Sequence, residues 1–182
     1  MKDYAIKHEQ RSGKAATSRR RSVVRTFAVI MITTVGGITL SMANAKDQKN
    51  PGSQWTTAFE QKSEDAFADA FAEDVVLEAA ALIKPVVGRD KVKVTMGTAS
   101  KLYTSLEFTS KQSIGERTWL QWQATIPGDI KLKGVTVLTK NSQGLISEIG
   151  IYHSPLKAAL AFSEEMGKRT NETLGPGYFY KN

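Results

Sequence analysis

Residues 106–153 read LEFTSKQSIGERTWLQWQATIPGDIKLKGVTVLTKNSQGLISEIGIYH, and their alternation decides the fold. Leu106, Phe108, Ser110, Gln112 and Ile114 interleave with Glu107, Thr109, Lys111 and Ser113, and Leu120, Trp122, Ala124 and Ile126 share the next face. A period of two belongs to a strand, because successive side chains leave a pleated backbone on opposite sides. Turn residues punctuate the run at Gly115-Glu116, at Pro127-Gly128-Asp129 and at Asn141-Ser142-Gln143-Gly144. Each cluster suits a tight reversal. Segments 130–140 and 145–153 supply the third and fourth strands, so the stretch predicts an antiparallel meander.

Working outward, Trp55, Phe59, Lys62, Ala66, Phe67, Ala70 and Phe71 recur at helical spacing, with Ser53 placed to cap. The spacing predicts one amphipathic helix with an aromatic stripe directed at the core. Residues 74–82 are apolar and extended until Lys84-Pro85, where the proline removes a donor and constrains its predecessor. After Gly88-Arg89-Asp90, the residues Val92, Val94, Met96, Ala99, Leu102 and Tyr103 predict a second helix, with Asp90 as its first-turn acid. Arg89 and Lys84 sit at loop positions and read as solvated surface charges. Ser154-Pro155 opens a closing helix whose stripe is Leu156, Ala159, Leu160, Ser163 and Met166, and residues 170–182 read as a tail that folds back.

The beginning of the chain has another character. Arg20-Arg21-Ser22-Val23-Val24-Arg25 runs into an apolar segment, residues 27–42, that closes on Ala43-Asn44-Ala45. A basic region, a short apolar run and a small-x-small tripeptide make an export leader, and the paired arginines resemble a twin-arginine signal. The expected organisation is a signal peptide over residues 1–45 with cleavage after Ala45, a linker over 46–52, one domain over 53–169 and the tail. Export to the periplasm or the medium follows, with the general secretory route and an uncleaved membrane anchor as alternatives. A spanning helix wants about 20 apolar residues, more than this run offers.

The leader also accounts for the charge. Of 25 Lys and Arg and 18 Asp and Glu, residues 1–45 hold eight bases and two acids, which leaves 17 against 16 in the rest. The net charge of +7 is therefore mostly an address, and no nucleic-acid partner is expected. With Cys 0, thiol nucleophiles, disulfides and thiolate metal sites are excluded. Of the two histidines, His8 lies in the leader and only His153 follows it, so neither a metal nor another cofactor is expected.

Phe71-Ala72-Glu73-Asp74, Pro85-Val86-Val87-Gly88, Gly144-Leu145-Ile146 and Pro155-Leu156-Lys157-Ala158-Ala159-Leu160 resemble the SnoaL-like branch of the nuclear transport factor 2-like superfamily, which includes the ketosteroid isomerases. The resemblance implies an α+β fold in which a cone-shaped, curved antiparallel sheet packs against helices, the cystatin-like α+β barrel. It also implies a test of chemistry. The isomerases use an Asp base in the first strand, with a Tyr and a protonated Asp holding the oxyanion. Laid on those motifs, this chain puts Ala79 at the base, Thr136 at the oxyanion Asp and Trp55 near the Tyr. Alanine moves no proton, so that reaction is not expected. The Asp-Arg-Asp cluster of epoxide-hydrolase members finds no acid here either.

If Ala79 and Thr136 point inward, the strand period sends Leu77, Ala81, Leu132, Gly134, Leu138, Ile149, Ile151 and His153 inward too. Trp55, Phe59, Met96, Tyr103 and Trp122 then border the cavity. The expected ligand-binding set is Trp55, Phe59, Met96, Tyr103, Trp122, Thr136, Leu138, Ile149, Ile151 and His153, and the partner is a small apolar or amphipathic molecule, bound without turnover. Two alternatives stand beside it. One is an enzyme using His153 with Tyr103 or Thr136; the other is a homodimeric module joined through the outer sheet face, where Trp119, Val135, Val137 and Tyr152 lie.

Overall fold

The computed structural model describes residues 51–181, so the leader, its cleavage point and residues 46–50 of the linker lie outside the described residues. In order come α1 (Pro51–Gln61), α2 (Glu64–Ala68), β1 (Phe71–Ala79), β2 (Val86–Val87), α3 (Arg89–Leu102), β3 (Ser105–Ile114), β4 (Arg117–Ile126), β5 (Ile130–Lys140), β6 (Ile146–Ser154) and α4 (Leu156–Leu174). The α+β class stands. The strands form one curved sheet in the order β2-β1-β6-β5-β4-β3, open at β2 and β3.

The meander holds as the alternation predicts, with β3–β4, β4–β5 and β5–β6 antiparallel. Its turns use positive φ where the sequence offers tolerant residues: Gly115 at 59°, Gly128 at 87° and Gly144 at 81°. At the last turn the Asn141 carboxamide oxygen accepts from the amides of Gln143 and Leu145. The parity is also as expected. Leu77, Leu132, Thr136, Leu138, Ile149 and Ile151 are buried on the inner face, while Tyr152 is exposed on the outer one.

Other features depart from the sequence reading. β1 runs parallel to β6, Leu77 opposite Ile149 and Ala79 opposite Ile151, so the sheet is mixed. The long first helix is two helices. Lys62, at φ 50°, ends α1, and the Ser63 hydroxyl then accepts from the Ala66 amide to cap α2. Ser53 lies inside α1, with its hydroxyl taken by the Lys111 ammonium at 2.9 Å. Phe71 begins β1 and does not end a helix.

Arg89 is a structural tie and no free surface charge. Its Nε donates to the Phe71 carbonyl at 2.9 Å and its Nη1 pairs with Glu73 at 2.6 Å, fixing the start of α3 to the start of β1. Lys84 places its ammonium 4.3 Å from the Tyr178 ring centre. In α4 the buried stripe is Ala158, Ala159, Phe162, Ser163, Met166, Thr170 and Leu174, and Leu156 faces solvent. The helix opens at Pro155, so Leu156 falls in its first turn beyond the sheet.

The last residues close over the core. Phe179 is buried and bridges to Leu82, and the Ile83 amide donates to the Tyr178 carbonyl. Ser163, 0% exposed, is the clasp: its hydroxyl donates to the Ala81 carbonyl at 2.7 Å and accepts from the Tyr180 amide at 2.8 Å. Ser163→Ala leaves both main-chain groups without their partner, at a cost of about 1–3 kcal/mol. The expected outcome is a lower urea midpoint with an unchanged denaturant slope; an unchanged midpoint would refute the clasp.

Candidate functional site

The inner face is built in cross-strand rows. Phe108 of β3, Trp122 of β4, Gly134 of β5 and His153 of β6 stand opposite one another in succession. One step along, Leu120, Thr136, Ile151 and Ala79 form the next row. The glycine governs the first row. A Cβ at Gly134 would run into the Trp122 ring and the Tyr152 carbonyl, so only glycine lets the indole lie over β5. From there the indole Nε1 donates to the Thr136 hydroxyl at 3.1 Å.

Two helices close over this row. Tyr103, the residue at the C-terminal cap of α3, stacks on Phe162 of α4 with ring centres 5.4 Å apart and planes 9° apart. Tyr103 also meets Trp122 at 6.1 Å, and His153 meets Trp122 at 5.5 Å and Phe162 at 5.3 Å. Thus Tyr103, Trp122, Thr136 and His153 come together as one cluster. Phe162 belongs to it and was missed by the sequence reading. Counting back four residues from Met166 would have found it.

The remaining expected residues disperse along the core. Leu138 and Ile149 face each other across β5 and β6, and Met96 is buried on α3. Trp55 packs with Phe59, Phe67 and Phe71, and Phe59 reaches Tyr103 at 6.1 Å. Phe59 and Tyr103, both largely buried, also back a cleft at the surface. With Leu106 and Phe108 they wall a cleft of about 470 Å³ between α1, α3 and β3. A second cleft of about 500 Å³, which shares Ser105 and Leu106 with the first, has Leu132 and Pro155 beside Lys131 and Lys133 and no aromatic ring. The first is the candidate site, because there the aromatic core reaches the surface.

The electrostatics of the interior are those of a desolvated, uncharged space. No described Asp or Glu is buried. The His153 Nδ1 is shut off from water and has no hydrogen-bond partner among the described residues, and burial lowers its pKa to about 4. The ring is neutral at physiological pH. Burial likewise raises the Tyr103 phenol above its ordinary range. Thr136 accepts from Trp122, so one lone pair of its hydroxyl is committed within the cluster. Among the described residues, no three or more His, Asp or Glu gather as a metal site would require.

This fold is the nuclear transport factor 2-like fold. A bacterial protein with a cystatin-like fold from Silicibacter pomeroyi matches with a TM-score of 0.65 at 21% identity, over 70% of this chain and 90% of that one. A steroid delta-isomerase from Pseudomonas aeruginosa matches with a TM-score of 0.62 at 20% identity, over 69% of this chain and 95% of that one. An NTF2-like protein of unknown function from Mesorhizobium loti gives 0.55 at 16% identity, over 59% and 91%. The likeness is one of architecture. No protein-family model matches the chain, and no curated protein matches it.

The neutral imidazole has a consequence for acid stability. An unfolded chain protonates His153 near 6.5, whereas the folded one resists until about 4, so the unfolded state takes the proton first as pH falls between those values. Stability is lost over that window. Urea unfolding of the parent and of His153→Gln at pH 7 and pH 4.5 isolates the effect, and the parent should lose about 2–3 kcal/mol more. Equal losses would mean that the ring titrates freely in the fold.

Proposed function

We propose that this chain is an exported, SnoaL-like protein that holds a small apolar or amphipathic molecule in the Phe59–Tyr103 cleft, over the inner side of its sheet, without reacting with it. The observation that carries the reading is the chemistry of the wall. Buried positions of the inner face hold Leu, Ile and Thr, and the described carboxylates stay outside the interior. Ala79 lies in the inner row beside Ile151, and the Thr136 hydroxyl accepts from Trp122. Such a surface offers area and a few weak polar contacts. Apart from the neutral His153 imidazole of the neighbouring row, it offers no group to abstract a proton or attack a carbon.

The magnitude suits small-molecule binding. A ligand burying roughly 250 Å² of apolar surface gains about 6 kcal/mol at about 25 cal/mol per Å² before the costs of association, so a net of about 8 kcal/mol, micromolar affinity, needs a larger apolar body or several well-placed polar contacts besides. Steroid-, terpene- and polyketide-like compounds test the reading by thermal shift. A compound present at about 100 times its dissociation constant adds about 2.7 kcal/mol and raises Tm by several degrees. Trp122→Phe, which removes the indole donor and frees Thr136, should weaken that response. No shift with any of the three classes would count against binding. Conversion of a bound compound that is lost in His153→Gln would favour an enzyme.

Export makes its own demand. Mass spectrometry of the protein recovered outside the cytoplasm should find an N-terminus at Lys46, and an intact leader would favour the anchored form.

A further inference from the structure

The cleft walled by Phe59 and Tyr103 lies where two helices end. Phe59 and Glu60 belong to the last turn of α1, with Lys62 just beyond it, and Ser100 belongs to the last turn of α3, followed by Tyr103 and Thr104. Helix C-termini carry partial negative charge on carbonyls that lack helical partners, and cations are favoured beside them. α1 has no basic residue in its last turn, and the one base in the last turn of α3, Lys101, is paired with Glu64 at 3.2 Å.

Three of the five hydroxyl side chains that line the cleft point the same way, while Ser105 and Tyr103 keep hydroxyls that can donate. Thr56 donates its proton to the Ser53 carbonyl at 3.1 Å, Ser100 to the Gly97 carbonyl at 2.7 Å and Thr104 to the Thr125 carbonyl at 3.0 Å. A hydroxyl whose hydrogen is spent on the main chain has only lone pairs left to offer. Glu60 adds a carboxylate, which accepts and is negative. Three aromatic rings, Phe59, Tyr103 and Phe108, complete the wall, with Phe59 6.1 Å from Tyr103 and 5.9 Å from Phe108. Aromatic faces attract cations as well as apolar groups. The opposing feature is the exposed Lys62, the one cation among the residues that line this cleft.

From these convergent features we infer that the cleft selects an organic cation, an amine joined to an aromatic or aliphatic body, over a neutral or anionic molecule of the same shape. The ammonium donates to acceptor-only hydroxyls and lies near two helix C-termini and Glu60, while its apolar body covers Phe59, Tyr103 and Phe108. This inference rests on the reading that the cleft admits the ligand, and deepens it by naming the charge. Lys62 occupies the same field, so it weakens binding of any cation and its removal strengthens it.

Three probes of one shape provide the test: 2-phenylethylamine, 2-phenylethanol and phenylacetate, titrated into the full chain at low salt by calorimetry and by NMR of the aromatic side chains. The amine is expected to bind about tenfold tighter than the alcohol, with phenylacetate the weakest. Glu60→Gln should reduce the preference for the amine by about threefold and leave the alcohol unchanged, and Lys62→Gln should increase it. Both side chains are exposed, so these variants keep the fold. Added salt should narrow the gap, since partly exposed charges are screened. If Phe59 and Phe108 respond to all three probes and the alcohol binds as well as the amine, the charge preference is wrong and the cleft stands. If none of the probes moves those rings, the cleft and its preference fall together.

Discussion

The absence of a side chain at Gly134 is the constraint on which the interior depends. With any other residue there, a Cβ would occupy the space of the Trp122 ring and press on the Tyr152 carbonyl. Because the position is empty, the indole crosses β5, donates to Thr136 and presents its ring to both Tyr103 and His153. Phe162 and Tyr103 then close over it as a stacked pair. One glycine in the middle of a strand costs backbone entropy. Here the cost is offset by the aromatic cluster that glycine alone permits.

Around that cluster the elements are fastened by a few specific polar contacts at their ends. Arg89 ties the start of α3 to β1, Ser163 ties α4 to the chain after β1 and to the last residues, and Lys101 ties α3 to α2 through Glu64. The exposed ion pairs contribute little each. Ser163 matters more, because both of its bonds satisfy main-chain groups beside a buried side chain. The helices also approach one another at their ends. Two of them, the C-termini of α1 and α3, meet where Phe59 and Tyr103 reach the surface.

The sheet was legible because a period of two states directly which residues face inward, and the parity read from residues 106–153 places Thr136, Leu138, Ile149 and Ile151 correctly on the buried side. What periodicity cannot carry is pairing between distant segments. The parallel contact of β1 with β6 follows from how the meander curls, which no local run of residues records. The break at Lys62 was masked because aromatic residues continue at helical spacing on both sides of it, and Ser63 reads as a cap only once a break is suspected. Phe162 was lost by starting the α4 stripe at Leu156, a residue that the helix start leaves in solvent. Arg89 was misjudged for a related reason: a charge in a loop reads as solvated until the carbonyl it serves, 18 residues away in sequence, is brought beside it.

The distribution of polar groups in the interior is uniform in kind. Every buried polar residue described is a Ser or a Thr: Thr95, Ser100, Thr118, Thr136, Ser163 and Thr170. Each is engaged. Thr95, Ser100 and Thr170 bond back to their own helices, Thr118 pairs with Ser113, Thr136 serves Trp122 and Ser163 joins Ala81 to Tyr180. Aliphatic hydroxyls already engaged with neighbours are poor proton donors and acceptors for catalysis. The exceptions are the buried side-chain atoms with no partner among the described residues, Gln54 Oε1 and His153 Nδ1, of which only the histidine belongs to the aromatic cluster. A neutral imidazole nitrogen held between two rings and shut off from water is a poor base, since taking a proton would place a charge where nothing compensates it. The interior is therefore shape and apolar area, whereas unspent lone pairs, helix ends and a carboxylate meet the aromatic wall only at the rim of the Phe59–Tyr103 cleft.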